Sequence, residues 1–109
     1  MRKKTKALRL FLDNLHKAIT SNPQFRKDVS QKTEVQIQAE LRPVIISYLE
    51  SYFKVQGYKD YIKKAHNSFY WEGQEGRYKG KRNIIFASRN YPDFISTAPY
   101  LVAVEYKQS

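Results

Sequence analysis

Tyr91-Pro92-Asp93-Phe94-Ile95-Ser96-Thr97-Ala98-Pro99-Tyr100-Leu101-Val102-Ala103-Val104-Glu105-Tyr106-Lys107 is the stretch whose reading decides the fold. Aromatic and β-branched residues bounded by turn residues read as a β-hairpin. If the chain reverses around Pro99, Asp93 lies directly across from Glu105, six positions to either side of that centre. Directly opposite residues share a face of the sheet. Glu105 and Lys107 project together, while Val102, Val104 and Tyr106 project the other way, into a core. Two carboxylates and an ammonium thus converge at one end of a sheet.

Two adjacent carboxylates repel each other and are costly unless positive charge sits between them. A hard divalent cation suits such a pair. Mg²⁺ takes one or two protein carboxylates and leaves its other positions to water and phosphate oxygens. Bound metal lowers the pKa of a water and neutralises charge on a phosphate. An ammonium beside it can orient that water or stabilise developing charge.

The motif Pro92-Asp93, eleven intervening residues, then Glu105-Tyr106-Lys107 resembles the PD-(D/E)xK signature of the restriction-endonuclease-like nuclease superfamily. The resemblance implies an α/β fold: N-terminal helices, then an antiparallel β-meander. It implies that Asp93 and Glu105 bind Mg²⁺, or Mn²⁺ in its place, and that Lys107 assists the attacking water. The helix ahead of the hairpin often adds a carboxylate in this family, which points to Glu40, with Glu34 as second choice. A solvated helix-face charge is the competing reading of either. The implied activity is a metal-dependent endonuclease on double-stranded DNA, of restriction type. Junction resolvases share the signature, and a non-catalytic DNA-binding module would share the charge. The family core continues with a crossing helix and a last strand, and only Gln108 and Ser109 follow Lys107. The expectation is therefore an N-terminal portion of a longer nuclease, or a chain completed by another. Cutting both strands would suggest a two-fold dimer.

Outward from the hairpin, the pattern is helical. Leu8, Phe11, Leu12, Leu15 and Ile19 recur at three- and four-residue steps, and Ser21-Asn22-Pro23 stops that run. Asn22 can cap a following turn with Pro23 at its first position. A second helix begins near Thr33, where Ile37, Leu41, Val44, Ile45, Tyr48, Leu49 and Tyr52 form a wide apolar stripe. Pro43 inside it should kink the helix or mark its true start, and Gly57 is a plausible terminator. Residues 58–66 read as a short helix. Residues 67–82, punctuated by Gly73, Gly76 and Gly80, read as a loop, with Trp71 and its neighbours Phe69 and Tyr70 as an apolar anchor rather than a base-stacking platform. Ile84-Ile85-Phe86 reads as a strand. The division expected is a basic helical arm over 1–32 and a partial nuclease domain over 33–109.

Composition agrees with an anionic partner. The chain has 109 residues, twenty Lys+Arg against ten Asp+Glu, a net charge of +10 and no cysteine. That length is one domain. The charge excess favours nucleic acid. Arg77, Lys79, Lys81, Arg82 and Arg89 are the candidate phosphate contacts, with a solvated loop as the plain alternative, and Arg2, Lys3, Lys4, Lys6 and Arg9 charge the N-terminal arm. Without cysteine there is no disulfide framework or thiolate metal site. His16 and His66 are isolated, with no zinc spacing. A P-loop fails because Glu75 and Arg82 stand where its pattern needs other residues. No apolar run approaches the roughly 18 residues of a membrane helix, and no secretory signal is evident, so a cytoplasmic protein is the default.

Overall fold

A computed structural model describes residues 2–21, 33–85 and 91–105. Asn22, Pro23, Phe86, Arg89, Tyr106 and Lys107 lie outside the described residues. Among those described, four helices and three strands follow in the order α1 (Arg2–Thr20), α2 (Glu34–Val55), α3 (Tyr61–Ser68), β1 (Phe69–Trp71), α4 (Arg77–Ile85), β2 (Phe94–Ser96) and β3 (Val102–Val104). The chain is mixed α/β, with one antiparallel sheet in the order β1-β2-β3.

Thr33 starts α2 as the sequence suggests. Its Oγ1 accepts the Gln36 backbone N–H at 3.2 Å, and Gln36 Oε1 accepts the Thr33 N–H at 3.0 Å. This reciprocal capping box satisfies two donors that a helix start otherwise leaves unpaired. Ile37, Leu41, Ile45, Leu49 and Phe53 follow at four-residue steps, all buried. Pro43 does not mark the start of α2, which begins nine residues earlier. The helix runs through Pro43, which lies on the solvent side. Gly57, at φ +91°, follows the last turn, a backbone conformation that side chains with a Cβ rarely adopt.

In α1, Phe11 and Leu15 turn inward, while Leu12 is 38 % exposed. The helix begins at Arg2, so the basic segment is helical from there. Phe11 and Leu15 join the α2 stripe, Ala65 of α3, Phe69 of β1 and Phe94 of β2 in one core. The Tyr48 hydroxyl donates to the Phe11 carbonyl at 2.8 Å, tying α2 to α1. Burial, with the neighbouring Tyr52 as a smaller cause, pushes that phenol up to about 12.

The segment expected to be a loop is not one. It holds the end of α3, then β1, then the start of α4. Phe69-Tyr70-Trp71 alternates: Phe69 and Trp71 face the main core, while Tyr70 faces a smaller cluster with Tyr78 and Ile95. Gly76, at φ +71°, makes the turn before α4. Ile84-Ile85, expected as a strand, ends α4 instead. Ile85 packs on the small cluster and Ile84 is 79 % exposed. A helix delivers Tyr78 and Ile85, two turns apart, to one side, and the sheet it covers settles the choice.

The hairpin has the register read from the sequence. Phe94 pairs with Val104, Ile95 with Ala103 and Ser96 with Val102, all centred on Pro99. Val102 and Val104 pack against the main core as expected. On the other side, β1 pairs Phe69 with Ser96, Tyr70 with Ile95 and Trp71 with Phe94.

Candidate functional site

The β1–β2 pairing continues one step past the strands, where the Glu72 N–H donates to the Asp93 carbonyl at 3.1 Å. The β2–β3 pairs end at Phe94 and Val104, so Asp93 and Glu105 each lie one residue beyond the last pair. Glu72, Asp93 and Glu105 therefore lie at the same end of the sheet. Their surroundings differ sharply. Asp93 is 6 % exposed, whereas Glu72 and Glu105 are exposed.

Two residues from outside the sheet fix the Asp93 position. Gln38 of α2 donates its Nε2 to Asp93 Oδ1 at 2.6 Å. Tyr78 of α4 donates its hydroxyl to the Pro92 carbonyl at 2.6 Å, just before the aspartate. The Tyr78 phenol is pushed up, first by burial and then by the Glu72 carboxylate. Arg82 opposes this, and Asp93 and Tyr91 add to it. Tyr78 therefore stays a protonated donor at neutral pH, with carboxylates on the sheet side of it.

Asp93 opens into a cavity of about 190 Å³ lined by Val35, Gln38, Arg42, Trp71, Glu72, Gly73, Asp93 and Phe94. Gln38 and Arg42 reach it together because they are four residues apart on α2. The Arg42 guanidinium stands over the Trp71 ring, 5.1 Å from its centroid. Glu40, the expected helix carboxylate, is about 200° around the helix from Gln38 at roughly 100° per residue and does not line this cavity. Gln38 hydrogen-bonds Asp93 from α2. Glu34 is the first residue of α2.

The expected phosphate contacts fall on α4. Arg77 and Lys81 stand over Tyr70 at 4.6 and 5.6 Å, and Arg77 Nη2 donates to the His66 carbonyl at 3.1 Å. Lys79 and Arg82 line a second cavity of about 550 Å³ with Glu72, Glu75, Gly76, Tyr78 and Tyr91. Arg82 stands over Tyr91 at 4.1 Å, and its Nη2 donates to Asn83 Oδ1 at 3.0 Å.

Among the described residues, no three His, Asp or Glu side chains gather as a metal cage. Asp93 and Glu105 offer oxygen donors only, the ligand type that Mg²⁺ takes. No helix among the described residues is long and apolar enough to cross a membrane.

Gln38, Arg42, Glu72 and Tyr78 were not singled out from the sequence. The i,i+4 spacing of Gln38 and Arg42 was a legible signal, and so was the position of Glu72 directly after the aromatic triplet. Tyr78 carried none, because its role depends on where α4 folds back. Comparison with family models, with curated proteins and with solved structures finds no match to this chain.

Proposed function

We propose that the chain is a Mg²⁺-dependent endonuclease hydrolysing DNA phosphodiester bonds, with Asp93 and Glu105 as metal ligands. The observation that carries the reading is the hairpin register centred on Pro99, in which Phe94 and Val104, the neighbours of Asp93 and Glu105, are paired. A long helix ahead of an antiparallel sheet in the order β1-β2-β3, with α4 inserted between β1 and β2, is compatible with it, as is the net charge of +10. The metal, when bound, supplies an acidified water and neutralises phosphate charge.

The chain's own residues have separate tasks. Gln38 holds one Asp93 oxygen, so the carboxylate presents a fixed orientation. Tyr78 fixes the backbone ahead of it. Lys107, on the motif's terms, orients the water or stabilises charge as it develops. The cations of α4 hold the polyanion near the site.

Plasmid DNA incubated with the protein in Mg²⁺, in EDTA, and with the Lys107→Ala variant tests this. Cleavage that needs Mg²⁺ and is lost in the variant supports the nuclease. Salt-sensitive binding without cleavage in Mg²⁺ or Mn²⁺ would assign the protein to non-catalytic nucleic-acid binding instead.

A further inference from the structure

Two guanidinium groups stand over aromatic rings near Asp93: Arg42 over Trp71 at 5.1 Å and Arg82 over Tyr91 at 4.1 Å. Each pair lines its own cavity, and Glu72 lines both. The two cavities therefore adjoin at Glu72, the backbone partner of Asp93.

An arginine held over a ring has already lost much of its side-chain freedom. Its free planar face and its N–H edge remain for a ligand. Nucleic acid offers a match to both, a base for the plane and a phosphate for the edge. The carboxylates of Glu72 and Asp93 would repel a phosphate placed against them. Stacking must therefore supply much of the affinity there.

We propose that the two cavities form one groove for an unpaired nucleic-acid strand, its bases stacking at the Arg42–Trp71 and Arg82–Tyr91 pairs. This rests on the reading that the Asp93 end of the sheet meets nucleic acid. The stacking groups line two open recesses, and only a base with an exposed face can stack on them, which favours a single strand over a duplex. A base inside a duplex keeps its faces against its neighbours and enters a cavity only when flipped out. Stacking of successive bases on aromatic faces, with cation–π contributions from Arg, is a way in which single strands are held. The substrate is thus single-stranded, or unpaired where it meets Asp93, as at a flap, gap or junction.

Trp71 is the one tryptophan of the chain, so its emission reports on the smaller cavity directly. Binding is measured in EDTA with a single strand of roughly 12 nucleotides, a blunt duplex of the same sequence, and an abasic strand of equal length. The single strand is expected to bind about tenfold more tightly than either comparator and to quench Trp71. Arg42→Met, Arg82→Met and Tyr91→Ala should each weaken it about five- to tenfold. Lys17→Met, an equal loss of charge on α1, should change it by no more than about twofold.

Equal binding of duplex or abasic strand overturns the proposal, as does an equal loss in Lys17→Met. Circular dichroism checks folding, and should Arg42→Met unfold, the variants at Arg82 and at the exposed Tyr91 decide. Because no metal is present, the two readings fail separately. A protein that shows these preferences but cuts nothing in Mg²⁺ keeps the groove and loses the nuclease. One that cuts duplex in Mg²⁺ and shows none of them keeps the nuclease and loses the groove.

Discussion

On the face turned to α1 and α2, the sheet buries Phe69 and Phe94 against Phe11, Ile37, Leu41 and Phe53, an almost wholly hydrocarbon surface. On the face turned to α4, it buries Tyr70, Tyr78 and Ile95. Among the described residues, the first cluster has ten buried residues and the second has three. Apolar burial scales with area removed from water, so the α1/α2 face carries most of the stability. The α4 face spends part of its interior on phenols, which need partners when buried. Tyr78 finds its partner in the Pro92 carbonyl, and Tyr70 lies under the cations of Arg77 and Lys81. The weaker face thus ties a basic helix to the strand end that bears Asp93.

Substitutions on the two faces test this division. Phe53→Ala, on the large face, should cost about 3–5 kcal/mol, a large share of the 5–15 kcal/mol typical of a domain. Denaturant unfolding would show it. Ile95→Ala, on the small face, should cost less, about 2 kcal/mol, at the low end for such truncations. If Ile95→Ala proved the costlier, the assignment of stability to the α1/α2 face would be wrong. Tyr78→Phe keeps the ring and removes only the hydroxyl. It should cost about 1–2 kcal/mol by leaving the Pro92 carbonyl without its donor. It should also shift the Asp93 and Phe94 amide resonances while leaving those of α1 in place.

How much of this was legible in the sequence follows the same division. The hairpin register was readable because it depends on a short local span and on the alternation of Val102 and Val104. The start of α2 at Thr33 and its stop near Gly57 were readable because caps are local chemistry. α4 was not. Gly80 within it, Gly73 and Gly76 just before it and its run of cations look like a loop, and Ile84-Ile85 looks like a strand until Tyr78 and Ile85 are seen to pack on Tyr70 and Ile95. The places of Asp93 just before β2 and Glu105 just after β3 were legible from the hairpin pattern. The Gln38–Asp93 hydrogen bond was not, because the rotation of a helix about its axis is set by tertiary packing.

Two smaller effects sharpen the account of the large face. Thr33→Ala removes the capping hydroxyl of α2 and should cost about 1 kcal/mol, read as a lowered thermal midpoint. Tyr48, raised to about 12 from an ordinary 10, gives a pH signature. Below pH 10 the phenol is protonated in both folded and unfolded chains, and its contribution is fully present. As pH rises from 10 through about 12, the unfolded chain ionises first and stability falls. Thermal midpoints should decline across that window, and less steeply in Tyr48→Phe. An equally steep decline in that variant would move the effect to other groups, such as Tyr52, which burial and the neighbouring Tyr100 also push up.

The claim that matters most is that the sheet end holding Asp93 and Glu105 does hydrolytic chemistry. Glu105 is exposed, so Glu105→Gln removes a charge without opening the core. DNA cleavage by the wild-type chain and by this variant, in Mg²⁺ at matched concentration and with both shown folded, tests the claim directly. The account predicts Mg²⁺-dependent cleavage by the wild type and a loss of about a hundredfold or more in Glu105→Gln, the scale on which lost electrostatic stabilisation in an active site is measured. Equal cleavage by the two, or none by the wild type in Mg²⁺ or Mn²⁺, would contradict it.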